Sequence, residues 1–222
     1  MRLSTEKNNF FREYAATLEG IQHDSRQSKV ALYFYIKRFI DIIFAFLGLI
    51  VASPIIIFTG VIIKLETPGP IFFKQERVGL DGRYFNVYKL RSMGVDAEKN
   101  GAQWAQKNDP RVTKVGAFIR KTRIDELPQL WNILIGEMSL VGPRPERPLF
   151  TAQFNEEIPG FIDRLKVTPG LTGWAQINGG YDISPEEKIN LDRYYINNQS
   201  YWLDIKIVLK TVKVCVTGNG AR

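Results

Sequence analysis

Between residues 42 and 63 the chain reads IIFAFLGLIVASPIIIFTGVII, with no charged side chain. As a helix this run rises about 33 Å, enough to cross the hydrocarbon core of a bilayer. It begins too far from the N-terminus, and lacks the small-residue cleavage site, to be a secretory signal. A core helix of a soluble domain is seldom apolar on every side over about six turns, so the segment is read as membrane-inserted.

How the segment sits in a membrane is a separate question. Ser53-Pro54 falls near its middle. The proline has no amide and its ring crowds the carbonyl of Ile50, which costs about 3 kcal/mol in an ordinary helix. In hydrocarbon the freed carbonyl needs another partner, supplied by a deliberate bend or by neighbouring helices. Lys37 and Arg38 precede the run and Lys64 follows it. Basic residues at both ends suit a re-entrant segment whose ends share one face, yet a kinked spanning helix fits the same residues. The residues support the two equally. Asp41, one turn beyond Lys37 and Arg38, is expected to pair with one of them near the interface.

The 222 residues suffice for one main domain with appendages. Residues 1–34 are expected to form a polar extension with a short helix over 9–19, 35–66 the membrane segment and 67–222 the main domain. The net charge of +7 favours anionic partners. Cys215 is the only cysteine and His23 the only histidine, which excludes an intrachain disulfide, a histidine zinc site and a Ser-His-Asp triad. There is no Walker glycine-lysine loop and no recognised nucleic-acid module.

The expected fold class is α+β, a mostly helical domain with a small β-hairpin and amphipathic helices. Strands are expected at 70–75 and 84–90 around Leu80-Asp81-Gly82, with a mobile polar loop over 94–110. Helices are expected over 113–121 and 125–135, and a structured loop over 169–176. Ser184-Pro185-Glu186-Glu187 is a capping box opening a helix to about residue 198. Over 201–216, Lys206, Lys210 and Lys213 share one face, which either lies on an anionic membrane or stays in solvent while the helix packs on the domain.

Chemistry is concentrated in Asp125-Glu126, which stand among Lys114, Arg120, Lys121 and Arg123. Consecutive helical residues point about 100° apart, but at a helix N-terminus both can reach one ligand where free amides attract anions. The same residues also serve as an N-cap and a first-turn complement to the helix dipole. Arg144, between Pro143 and Pro145, has an extended, stiffened backbone that suits bidentate recognition of phosphate. Arg77, Lys89 and Arg91 cluster on the hairpin, as phosphate contacts or as ordinary strand surface. Together these features suggest phosphoryl chemistry at a membrane. A non-catalytic scaffold binding anionic lipid and a metal-dependent phosphohydrolase are the alternatives.

Several motifs occur in a recognisable order: KRFID at 37–41, Ser53-Pro54, QERVG at 75–79, YKLRSM at 88–93, Asp125-Glu126-Leu127, GPRP at 142–145 and PGLTGWAQ at 169–176. Over residues 35–218 the chain resembles bacterial sugar transferases of the monotopic phosphoglycosyl transferase family. The resemblance implies transfer of a phosphosugar from a UDP-sugar to undecaprenyl phosphate with release of UMP and use of Mg²⁺, as the first membrane step of capsule or exopolysaccharide assembly. It implies a re-entrant helix bent at Ser53-Pro54, with both ends on the cytoplasmic face of the bacterial inner membrane, the main domain cytosolic and the lipids around the helix as partners. Asp125 matches the nucleophile of an aspartyl-phosphosugar intermediate, and Glu126 would assist through the metal or by positioning. Both are candidate Mg²⁺ ligands. Arg144 with Pro143 and Pro145 would hold the diphosphate, Arg120 would add a phosphate contact, and Arg77, Lys89, Arg91 and Gln176 are further substrate-binding positions. Thr168 stands where relatives often carry a basic residue, so one phosphate contact is expected to be absent. The chain resembles the minimal form of the family, without extra N-terminal transmembrane helices. The donor sugar and the oligomeric state, a homodimer included, stay open.

Overall fold

Pro54 does not interrupt the apolar segment. In the structure, a computed structural model describing residues 27–99, 101, 103, 109–179 and 183–217, helix α1 (Gln27–Glu66) runs through it. Proline leaves the carbonyl of Ile50 without its amide, and the Ser53 hydroxyl donates to that oxygen at 2.9 Å. Within α1, Leu32–Glu66 is long and apolar enough to cross a membrane. The short helix expected over 9–19 lies outside the described residues.

The helix is not alike on every side. Asp41, Ala45, Ala52, Thr59 and Ile63 are buried, while Phe44, Leu47, Val51 and Phe58 are exposed. The buried set recurs every three to four residues or a multiple of that, so it forms one stripe. Small residues bring the stripe close to its neighbours: a Cβ on Gly60 would stand 2.9 Å from Ile71 Cγ2. Ala45 and Ala52 share a core cluster with Phe85, Val87, Leu130 and Ile133. One stripe of the apolar segment is therefore part of the domain's own core.

Polar anchors fix both ends of α1. Near its start, Lys37 pairs with Asp204 at 2.8 Å, and Arg38 donates to the carbonyls of Ile133 and Leu134, the latter at 2.8 Å. Asp41 accepts from the Leu140 amide at 2.9 Å. The expected pairing of Asp41 with Lys37 or Arg38 is thus replaced. Those groups instead satisfy helix-end carbonyls and a strand amide that burial would leave unpaired. Near its end, Glu66 accepts from the Val115 amide at 3.1 Å.

The hairpin pairs β1 (Phe72–Val78) antiparallel with β2 (Tyr84–Leu90), Phe72 opposite Leu90 and Val78 opposite Tyr84. Asp81 at φ 53° and Gly82 at φ 74° close the turn. The first strand starts later than expected, since Pro70 has no amide to give a ladder. Helix α2 (Lys114–Lys121) is capped by Thr113, whose hydroxyl accepts from the Gly116 amide at 2.9 Å.

The helix expected over 125–135 is two pieces. A 3₁₀ turn, Ile124–Glu126, follows Arg123, which is left-handed at φ 60°, and α3 (Gln129–Ile135) begins only after Pro128. Asp125 and Glu126 are therefore neither an N-cap nor a first helical turn. Beyond α3, β3 (Ser139–Val141) and β4 (Gly170–Thr172) form a parallel pair that the sequence did not reveal. Three residues are too few for an alternating pattern. Between them lie α4 (Pro148–Glu157) and a 3₁₀ segment, Phe161–Lys166; α5 (Trp174–Asn178) follows. Helix α6 (Pro185–Asn197) opens with both hydrogen bonds of the expected capping box.

In α7 (Tyr201–Thr217), Ile207 is buried and Lys206 and Lys210 lie over the Trp174 ring, 5.4 and 5.5 Å from its centroid. Trp202, Ile205, Leu209 and Val212 are exposed instead. The outward stripe of this helix is apolar, and two of its three lysines, themselves exposed, reach over the Trp174 ring.

Candidate active site

The segment after β3, Gly142-Pro143-Arg144-Pro145-Glu146, cannot be helical and is held residue by residue. The Gly142 amide donates to Thr172, the Gly170 amide to the carbonyl of Pro143, Arg164 to that of Arg144 at 2.7 Å, and Arg77 to that of Pro145 at 2.9 Å. The Val78 amide donates to the carbonyl of Glu146. Glycine is required at 142, where a Cβ would stand 2.4 Å from the Thr168 carbonyl oxygen. So fixed, the loop sends the Arg144 side chain to the 3₁₀ turn.

There the two carboxylates differ. Glu126 is gripped by Arg144 through both guanidinium nitrogens, by Lys89 at 3.2 Å and by Arg123 at 3.9 Å. Burial pushes its carboxyl up, but Arg144, Lys89 and Arg123 outweigh burial and hold it well below the usual carboxylate range. Asp125 is 6% exposed and makes no hydrogen bond or ion pair among the described residues. Burial raises its pKa, Lys89 opposes the rise and the neighbouring Glu126 charge adds to it. One carboxylate is locked as an anion. The other is oriented by its turn and left free.

Both face a cavity of about 460 Å³. Nine cationic side chains line it against four carboxylates, which suits a ligand carrying several negative charges. Asp125, Glu126, Lys89, Arg120 and Arg144 meet in its wall. Arg120 forms no ion pair among the described residues and acts on Asp125 by its charge.

Other expected positions are occupied differently. Arg77 lines the cavity, but its guanidinium is engaged with Gln75, the Pro145 carbonyl and Glu146 at 3.6 Å. Arg91 is buried and donates to the carbonyls of Pro68 and Thr67 at 2.7 and 2.9 Å, so it closes the exit of α1. Pro143 is outside the lining and contributes only backbone; Pro145 lines the cavity. Gln176 lines it and donates to the Leu171 carbonyl at 3.1 Å.

Sequence reasoning missed the support behind Arg144. Glu146 is held by Lys188, by Arg77 and by Arg164 at 3.8 Å, and Arg164 pairs with Asp192 at 2.8 Å. Glu146 follows the GPRP motif directly, which was a usable signal. Nothing marks Lys188, Arg164 or Asp192 locally.

Among the described residues no three His, Cys, Asp or Glu side chains converge on a metal-sized site. The donor set at 125–126 still fits Mg²⁺, which takes one or two carboxylates and completes its shell with water and substrate phosphate. Asp125 offers an unengaged oxygen pair, and Glu126 would have to share its oxygens with Arg144.

A buried carboxylate pair whose pKa values are pushed in opposite directions, in a cationic cavity beside an apolar helix, defines a site for phosphoryl-group chemistry. The profile of the family described as "Bacterial sugar transferase" matches residues 32–218, and the chain belongs to that family, the phosphoglycosyl transferases. It is 51% identical over 194 residues to a UDP-N-acetylgalactosamine-undecaprenyl-phosphate N-acetylgalactosaminephosphotransferase of Aeromonas hydrophila, covering 86% of this chain and 46% of that protein. It is 57% identical over 164 residues to a Bacillus subtilis protein named, provisionally, as an undecaprenyl-phosphate N-acetylgalactosaminyl 1-phosphate transferase, covering 73% of this chain and 90% of that one. It is 46% identical over 182 residues to the UDP-glucose:undecaprenyl-phosphate glucose-1-phosphate transferase of Escherichia coli, covering 80% of this chain and 39% of the relative. The chain thus spans less than half of the Aeromonas and Escherichia proteins and most of the Bacillus one.

Proposed function

We propose that this protein transfers a sugar 1-phosphate from a UDP-sugar to undecaprenyl phosphate through a covalent intermediate on Asp125, releasing UMP. The observation that carries the reading is the free, buried Asp125 carboxylate beside Lys89 and Arg120 in a cationic cavity. A scaffold has no use for such a group, since burying an unpartnered carboxylate costs stability.

In the first step an Asp125 oxygen attacks the phosphorus bearing the sugar. The bond from that phosphorus to the uridylate oxygen breaks, and UMP leaves with the electron pair. In the second step a phosphate oxygen of the lipid acceptor attacks the same phosphorus. The acyl-phosphate P–O bond breaks and the Asp125 carboxylate is regenerated. Dividing the transfer in this way lets a water-soluble donor and a lipid acceptor use one site in turn. Arg144 and Lys89, oriented by Glu126, stabilise charge on the phosphoryl oxygens. Mg²⁺, held by Asp125 and Glu126 with the diphosphate, would add charge neutralisation.

A screen of UDP-sugars with undecaprenyl phosphate, scored by UMP release, tests this. At least one sugar is expected to give acceptor-dependent turnover. UMP from none of them would sink the proposal, and phosphate release without acceptor would favour a hydrolase. The homologues with N-acetylgalactosamine in their names make its UDP form the first donor to try.

The same reading makes the protein monotopic, with both ends of α1 on the cytoplasmic face. What supports this is that Lys37 and Asp41 near one end and Glu66 at the other are bonded to one domain. A spanning helix would carry one end about 30 Å away across the bilayer. The outward faces of α1 and α7 are then the lipid-facing surfaces. In Cys215→Ser protein, cysteines introduced at Ser4 and Lys99 are both expected to resist a periplasmic thiol reagent in intact cells. Labelling at position 4 alone would indicate a spanning helix.

A further inference from the structure

The cavity has two chemically different ends. Along β1, Phe73, Gln75 and Arg77 line it on one face, and the register places Phe73 opposite Lys89. Four residues of strand separate Phe73 from Arg77, about 13 Å. Asp125 belongs to the Phe73 end, because Lys89, opposite Phe73, pairs at 3.2 Å with Glu126, the residue next to it. The Arg77 end holds Glu146 and Lys188. At the near end the lining turns apolar: Pro70, Phe72, Phe73, Met93 and Val95. Phe72 is 46% exposed and Val95 is 65% exposed.

That apolar lip adjoins the exit of α1. Lys64 donates to the carbonyl of Gly69 at 2.8 Å, Arg91 holds those of Thr67 and Pro68, and a Cβ on Gly69 would stand 2.5 Å from a Val95 methyl. Leu65, at the end of α1, is 81% exposed. Apolar surface therefore continues from the outward face of α1, over Leu65, to the lip and into a cavity whose next groups are Lys89, Arg120 and Asp125. A ligand fitting this sequence has a long apolar chain and a phosphate head.

Resting on the function proposed above, we infer that the lip of Phe72, Phe73, Met93 and Val95 is the acceptor subsite. The polyprenyl chain lies over the lip, its phosphate meets Lys89 and Arg120, and the nucleotide half of the donor occupies the Arg77 end. The two tails thus diverge from one position: the acceptor phosphate enters from the membrane side at the place opposite the Asp125–phosphorus bond that the UMP phosphate has vacated.

Two measurements on the full chain in phosphatidylcholine–phosphatidylglycerol nanodiscs test the subsite. In the double variant Phe72→Ser/Val95→Ser, the KM for undecaprenyl phosphate is expected to rise about tenfold, the worth of one well-buried apolar side chain. The acceptor-free burst of UMP, which reports the donor half-reaction, is expected to persist. An unchanged acceptor KM, or equal loss in both half-reactions, overturns the inference. The second measurement needs no turnover. In Phe72→Trp protein, undecaprenyl phosphate is expected to blue-shift the added emission relative to the same nanodiscs with undecaprenol. Emission that ignores the acceptor while the UMP burst persists removes the subsite and leaves the proposed function standing. A shift without any UMP burst keeps the subsite and removes the proposed function.

Discussion

Asp125→Asn is expected to abolish UMP release, by at least about 10³-fold, and at the same time to make the metal-free protein more stable at pH 7.5. The two effects share one cause. Asp125 is buried without a partner, and burial raises its folded pKa above the ordinary 3.8. A carboxyl whose folded pKa is raised contributes stability only while protonated, and that contribution is lost as pH rises through the folded value. At pH 7.5 the ionised group is therefore a burden that asparagine, similar in shape and uncharged, removes. For a chain of this length the melting temperature should rise by about 2–4 °C per kcal/mol recovered. The gap between variant and wild type should close as pH is lowered through the folded pKa. Activity should show the mirror image, with an acid limb above the usual carboxylate range because only the anion attacks phosphorus. A variant that is inactive but no more stable would place the strain elsewhere in the cavity. One with wild-type turnover would end the assignment of Asp125 as nucleophile.

How much of this was legible in the sequence depends on the kind of signal each feature leaves. The carboxylate pair among cations and the arginine between prolines stood out, because composition and backbone restriction are local. The capping box at Ser184 and the Asp-Gly turn were readable for the same reason. The division of the 125–135 helix was not, because its cause is a left-handed Arg123, and arginine carries no signature for that conformation. The face of α1 that packs on the domain was equally hidden. Alanine and glycine make close approach possible, yet hydropathy scores them much like lipid-facing residues. Arg91 shows a further limit. Strand alternation indicates which face a residue occupies, but not that its guanidinium will turn to the carbonyls at the end of a helix.

Those hidden features matter to the chemistry. Had Asp125 and Glu126 opened a helix, both would have met free amides and similar fields. On a separate turn they meet different neighbours, and the cations are distributed unequally between them. Glu126 holds Arg144 and Lys89 in place, while Asp125 is spared direct pairing and stays available. The loop behind Arg144 extends the same logic. Asp192 pairs with Arg164, which donates to the Arg144 carbonyl. The position of one guanidinium thus depends on a buried ion pair in α6 and the 3₁₀ segment.

Arg144→Ala should be the most damaging change after loss of the nucleophile. It removes the fork that grips Glu126 and a cation facing the phosphoryl oxygens. A comparable loss of transition-state stabilisation costs about 10²–10³-fold in kcat. Arg144→Lys keeps the charge without the planar fork and should recover part of it. Stability should also fall, by up to about 3–5 kcal/mol, because Glu126 is left buried with only Lys89 and Arg123. The sign with pH is opposite to that of Asp125. Glu126 has a folded pKa held below the ordinary 4.5, so its contribution to stability is present above that value and lost as pH falls through the folded one. The stability gap between wild type and Arg144→Ala should therefore be widest at neutral pH and narrow in acid. Adding Glu126→Gln to Arg144→Ala should restore much of the stability, because the unpaired charge is gone, but none of the turnover. Melting curves and UMP release on the two single variants and the double variant close that cycle. Additive losses of stability would show that the two residues act independently, and wild-type kcat in Arg144→Ala would remove Arg144 from the reaction.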